Sequence, residues 1–310
     1  MGVLGKESKI SALGSLDLQC PPLPQTMLEA MDLMQQQDGP QIDQVVKMVE
    51  HDPGVVARLL RVVNSAYYGQ GGEIKNVSRA VLILGTVSVT GIVMSLGLNE
   101  VRNSLDERTT LPFLNLARHS LASAFIARHL VLHNSEKSTH TALKDHLGDV
   151  YTAALLHDFG KLILLYNHPG IASRIYGQKE NDLTADHDLL KRERTWFGYD
   201  HVETGVYLTR RLRFPESLTT AIALHHRDGH LDKIAPEISQ MIYVVKAANL
   251  AAHALGFSDV QKPDWEACSI DPLWSRMIDE RVILYDDVES VLENLKEQVA
   301  EIEYYVETIS

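Results

Sequence analysis

The chain has 310 residues, 45% of them hydrophobic, enough to bury one large or two medium cores. A formal charge of -12 leaves the surface repelling phosphate backbones on average, so the counterion-release contribution that drives nucleic-acid binding is missing and such a partner is disfavoured. Cys20 and Cys268 are the only cysteines and form no C-x-x-C arrangement, which argues against a disulfide framework or a thiolate zinc knuckle and fits a reducing cytosol.

The first residues turn polar at once and hold no apolar stretch long enough for a signal peptide or a membrane span, so residues 1–17 are expected to be a leader and the protein cytoplasmic. Cys20-Pro21-Pro22-Leu23-Pro24 cannot be helical, because proline lacks an amide donor and biases the residue before it to extended conformations. A helix is predicted from Thr26 to Gln37, ended by Asp38-Gly39-Pro40. Asp52-Pro53 reads as N-cap and first helical residue of another helix. Apolar residues recur three and four apart, as in Ile42, Val45, Val46, Val49 and in Val55, Val56, Leu59, Leu60, Val63, the period of helices packing one face inward. Asn64 and Ser65 close an apolar helix and are expected to bond local backbone groups. After a loop at Tyr67 to Gly72, short helices follow around Val77–Leu84 and Val87–Leu98, with Gly85 between them. About five helices thus end near residue 105.

The polar run from Asn103 to Thr110 is the candidate linker. Beyond it, helices are predicted over Phe113–His133, Val150–Tyr166, Ile171–Lys179, Asp186–Phe197, His201–Arg211, Leu218–His226 and Ile238–Leu255, then one long acidic helix from Asp287 to Tyr305. Its stripe of Val288, Val291, Leu292, Leu295, Val299 and Ile302 is expected to pack back on the protein. The fold class is all-α, two helical bundles: residues 18–105, then 106–260, with a tail over 261–310.

Histidines mark the chemistry. His157-Asp158 closes the apolar run Ala153-Ala154-Leu155-Leu156, and a carboxylate beside an imidazole at the end of a buried stretch is costly unless both are paired or hold a metal. His225-His226 ends a similar run, His201 starts a helix, and His119 opens a helical stretch with Ala122 and Ile126 inward. Such imidazole and carboxylate ligands suit iron, zinc, manganese or nickel rather than calcium.

The ordered set His119, His157-Asp158, His201, His225-His226 resembles the HD superfamily of metal-dependent phosphohydrolases, most closely its HD-GYP branch. That resemblance implies two metals activating water against a cyclic dinucleotide, with Asp158 and Lys161 in catalytic roles, Lys161 on a phosphate. It also exposes departures. The last ligand aspartate of the HD family falls at Asn249, the glutamate before the first histidine falls at Asn115, and Arg227-Asp228-Gly229-His230 lacks the Gly-Tyr-Pro of the branch. Two anionic ligands have become amides.

The N-terminal half carries Pro21-Pro22-Leu23-Pro24, the run from Asp52-Pro53 to Asn64-Ser65-Ala66, then Ile74, Val77, Ala80-Val81 and Leu84-Gly85. Together with Trp196-Phe197-Gly198-Tyr199-Asp200-His201, Phe214-Pro215 and Ala248-Asn249, it resembles the HDOD domain family over about residues 18–256. The resemblance implies a bacterial signalling or regulatory module, non-catalytic, acting through a protein partner or a nucleotide. Two readings stand beside it: a residual metal-dependent phosphohydrolase acting on a nucleotide or cyclic dinucleotide, and a sensor in which a metal or nucleotide controls docking of the lobes.

Overall fold

Prolines delay the first helix. In a computed structural model, which describes residues 18–34, 36, 39–64, 73–132, 143, 146–177, 186–227, 231, 233–257 and 264–309, residues 18–24 are extended and α1 (Gln25–Met34) begins only where Pro24 ends. The extended leader is stitched to distant helices: Gln19 and Asn167 exchange two hydrogen bonds of 2.9 and 2.8 Å, and Arg211 donates to the Leu18 carbonyl at 3.3 Å.

Four more helices complete the first set: α2 (Ile42–Glu50), α3 (Pro53–Val63), α4 (Val77–Leu84) and α5 (Thr86–Val101). Asp52 caps α3 as its sequence suggests, accepting from the amides of Gly54 and Val55 at 2.8 and 3.2 Å, with Pro53 following. Asn64 closes the same helix. Its amide donates to the carbonyls of Leu60 and Ile74, and its oxygen accepts from Ile74 N, all within 2.8 Å. Gly85, at φ +83°, makes the sharp turn from α4 into α5. The expected turn residue Asp38, Ser65, the loop at Tyr67 to Gly72, Asp228-Gly229-His230 and the first 17 residues lie outside the described residues.

The polar run after α5 forms two short 3-10 turns, Arg102–Ser104 and Glu107–Thr109, before α6 (Thr110–Leu132). Then come α7 (Leu147–Leu156), α8 (Phe159–Asn167), α9 (Pro169–Tyr176), α10 (Asp186–Phe197), α11 (His201–Arg211), α12 (Glu216–Leu224) and α13 (Pro236–Ala254). Two expectations need correction. The helix predicted over Val150–Tyr166 is two helices that break at His157-Asp158, and the tail is α16 (Val288–Glu297) and α17 (Val299–Ile309), split at Gln298. Two short helices, α14 (Trp265–Ser269) and α15 (Pro272–Asp279), also precede the tail.

The described residues contain no strand, and no single helix among them is long and apolar enough to cross a membrane. Helices α6, α7 and α13 pack on one another; α8 lies along α11, and α5 packs on α7. Buried apolar residues from Leu18 to Val306 form one continuous cluster. The tail stripe does pack back: Val291, Leu292, Leu295 and Ile302 are buried, and α17 lies against both α3 and α6.

Candidate metal centre

Helix ends build the site. His157 and His225 stand at the C-caps of α7 and α12, where the last carbonyls lack intrahelical partners. Each imidazole turns back and donates from Nδ1 to the carbonyl three residues earlier, Ala154 or Ile222, both at 2.7 Å. The bond that finishes the helix therefore fixes the tautomer and leaves Nε2 pointing inward as a lone pair. His119 obeys the same rule with a distant acceptor, the Phe257 carbonyl at 2.9 Å. It lies in the third turn of α6 rather than at a helix start.

His201 is the first residue of α11, and its acceptor is a carboxylate. Glu193 on α10 receives the His201 amide at 2.8 Å, His201 Nδ1 at 2.7 Å and the Tyr176 hydroxyl at 2.6 Å, and is itself fully buried. Asp200 and Glu203 close a capping box that starts the helix at this residue.

The inward nitrogens converge on Asp158. Its Oδ2 is 3.3 Å from His157 Nε2 and 3.7 Å from His119 Nε2, while its Oδ1 is 3.2 Å from His201 Nε2 and 3.6 Å from His225 Nε2. His201 Nε2 and His226 Nε2 stand 3.0 Å apart. Asn249, on α13, places Oδ1 2.9 Å from His119 Nε2, in the position where the HD resemblance sets the missing aspartate. Lys161 turns onto Asp158 Oδ2 at 2.7 Å. All eight residues singled out from the sequence thus meet in one place.

Electrostatics follow from the burial. Desolvation pushes the Asp158 carboxyl up, but the Lys161 ammonium and the His157 ring hold it well below the usual carboxylate range. For His225 desolvation, with His226 beside it, outweighs the opposing pull of Asp158 and holds the pKa well below the ordinary value. Burial also works against a charge on His201, yet Glu193 and then Asp158 outweigh it and hold its pKa up at about 10.

Two buried atoms, Asp158 Oδ1 and His225 Nε2, have no hydrogen-bond partner, although unpaired polar groups in a core are costly. A cation resolves this. An ion bound at about 2.0–2.1 Å in tetrahedral geometry wants its ligand atoms about 3.3 Å apart. The donors of Asp158, His201, His225 and His226 lie within 4.8 Å of one another, as do those of His119, His157 and Asp158. The donor set fits a transition metal. His119, His157, Asp158, His201 and His225 are each at most 1% exposed, and His226 alone is half-buried. The small cavity beside Asp158 is lined mainly by apolar groups, among them Phe113, Leu116, Leu155 and Leu162.

Sequence reasoning missed Glu193 and His253. The latter stacks on His119 with ring centroids 4.4 Å apart, one helical turn beyond Asn249.

The HDOD domain profile matches residues 20–228. A relative from Treponema pallidum (strain Nichols), an uncharacterized protein, is 23% identical over 237 residues; the match takes in 76% of this chain and only 42% of that protein. An HDOD domain protein with unknown function from Geobacter sulfurreducens shares the fold at TM-score 0.74 and 19% identity, over 99% of both chains. A Marinobacter aquaeolei VT8 protein, provisionally named a signal transduction protein, aligns at TM-score 0.64 and 18% identity over 99% of this chain and 66% of its own. A Shewanella amazonensis SB2B protein, provisionally named a metal-dependent phosphohydrolase, aligns at 0.60 and 16% over 96% and 100%. At these identities the structural likenesses show the fold alone. With more than half of its residues matched by the family profile, the chain belongs to the HDOD domain family.

Proposed function

We propose that this protein is a non-catalytic regulatory module of a bacterial cytoplasm, holding a transition metal in its HD-like part and acting through a signalling protein partner. In this reading residues 18–105 form a first helical lobe, 106–260 the HD-like lobe, and 261–310 a tail. The observation that carries it is closure. Structural metal sites fill every position with protein ligands, whereas catalytic ones keep a position open for water or substrate. Here every ligand but the half-buried His226 is buried, the neighbouring cavity is mainly apolar, and Lys161, the residue that the HD resemblance assigns to a phosphate, is 3% exposed and bonded to Asp158.

His119, His157, Asp158, His201, His225 and His226, with Asn249 adjoining, are the residues that would hold the metal. When bound, the ion supplies cross-links between α6, α7, α11 and α12, and in an open site would lower the pKa of water. The chain's own groups do the rest: backbone carbonyls and Glu193 fix the tautomers, and Asp158 supplies the carboxylate common to both sides. Protein purified without chelator should carry stoichiometric iron, zinc, manganese or nickel by elemental analysis. Metal-free protein that stays folded and refuses added metal contradicts the proposal.

The competing reading is a metal-dependent phosphohydrolase acting on a nucleotide or cyclic dinucleotide. What favours it is the convergence of His157-Asp158 with Lys161 and the other histidines on one point. Against it stand the neutral amides at Asn249 and Asn115, because a bimetal centre needs anionic ligands to offset four positive charges.

A further inference from the structure

The two ligand groups share Asp158 but not the same electrostatic surroundings. On the side of His119 and His157, the oxygen that faces them is Asp158 Oδ2, and it already receives the Lys161 ammonium at 2.7 Å. The adjoining polar group is the uncharged amide of Asn249. On the other side, Asp158 Oδ1 and His225 Nε2 are the buried atoms left without partners, and the Glu193 carboxylate stands directly behind His201.

We propose that the protein binds a single divalent transition metal through Asp158 Oδ1, His201, His225 and His226, and that the Lys161 ammonium serves as the built-in cation of the His119–His157 half. The assignment rests on the metal-binding reading above and says where the ion goes. Beyond the Asp158 carboxylate that both halves share, the buried Glu193 carboxylate puts a second negative charge on the His201 side alone. A second dication beside His119 would face an ammonium across one shared oxygen, with little water to screen the repulsion and no second carboxylate to offset it. Geometry alone does not choose between the halves, since both have donor separations that suit an ion. Charge and the two orphaned atoms do.

The test uses the full chain, stripped with chelator and titrated with zinc against a chromophoric competitor, together with crystals of the zinc-loaded protein measured at the zinc absorption edge. One zinc per chain is expected, with its anomalous peak among His201, His225, His226 and Asp158. His225→Ala should weaken binding by at least about 100-fold and His119→Ala by less than about threefold, circular dichroism checking that both variants fold. Lys161→Met should raise the stoichiometry from one to two. A single peak between His119 and His157, or two zinc ions in the unmodified protein, overturns this assignment while leaving the metal-binding reading intact. Failure of the folded protein to bind zinc or any other transition metal overturns both. Should a variant unfold, the anomalous map of the unmodified protein decides alone.

Discussion

Gly160 shows how a single residue sets the site. A Cβ there would fall 1.8 Å from the His201 carbonyl oxygen and 2.7 Å from Gly205 N, so α8 and α11 touch backbone to backbone. Asp158 immediately precedes α8 and His201 opens α11, which makes this contact the spacer between carboxylate and imidazole. Gly160→Ala is therefore expected to cost about 2–3 kcal/mol, as overpacking of a tight contact does, and to weaken metal binding. Denaturant unfolding and zinc titration of the variant measure both, and unchanged values would remove the spacer argument. The motif residues themselves were legible in the sequence, because His157-Asp158 and His225-His226 end apolar runs where their burial had to be explained. Glu193 was not legible: it sits eight residues before His201 on a different helix, and only the folded chain shows that the His201 amide and ring both bond its carboxylate.

At the scale of elements, helix ends carry both the pattern and its surprises. The apolar period runs unbroken from Val150 to Tyr166, so the sequence reads as one helix; the break arises because His157 bonds the Ala154 carbonyl and turns the chain at the doublet. Elsewhere the period and caps sufficed, as for α11, whose bounds match the expectation. Asn64 tests one such end. It ties the α3 terminus to both backbone groups of Ile74, so Asn64→Ala should lower stability by about 1–2 kcal/mol in a thermal or denaturant melt. No loss would mean that water replaces the amide without penalty.

His168 joins α8 to α9 and offers a pH test away from the candidate ligands. Its Nε2 lies 2.6 Å from the Tyr199 hydroxyl, and burial pulls its pKa below the ordinary 6.5. It also caps the N-terminus of α9, where the helix dipole disfavours a positive ring. Unfolded chains then bind the proton more readily than folded ones. The contribution of this ring to stability is present above about 6.5 and is lost as pH falls below that value. Melting temperatures from about pH 8 down to pH 5 should decline on the acid side, and His168→Gln should flatten that decline; an identical slope in the variant would clear His168 of any part in it.

Across the whole molecule, the C-terminal helix touches helices from early and central parts of the chain. Tyr305 is 2% exposed, its ring lies 5.3 Å from Phe125 of α6, and its hydroxyl pairs with that of Tyr151 on α7. Tyr151 in turn packs at Gly91 of α5, and α17 also rests on α3. Asn294 on α16 receives His129 at 2.7 Å and the Tyr285 hydroxyl at 2.8 Å. Tyr305→Ala should cost about 3–5 kcal/mol, the range for truncating a buried aromatic, within a transition that remains single by fluorescence and circular dichroism. Separate transitions by the two probes would contradict this expectation. The sequence made the inward stripe of the tail visible, but not its target, which depends on long-range packing.

The function proposed for the histidine constellation, holding a metal in a non-catalytic regulatory module, stands or falls on catalysis. The most direct measurement is turnover of a cyclic dinucleotide by the metal-loaded, unmodified protein. The account predicts no linear product above the metal-free control, whereas fast, metal-dependent hydrolysis that His157→Ala abolishes would contradict it.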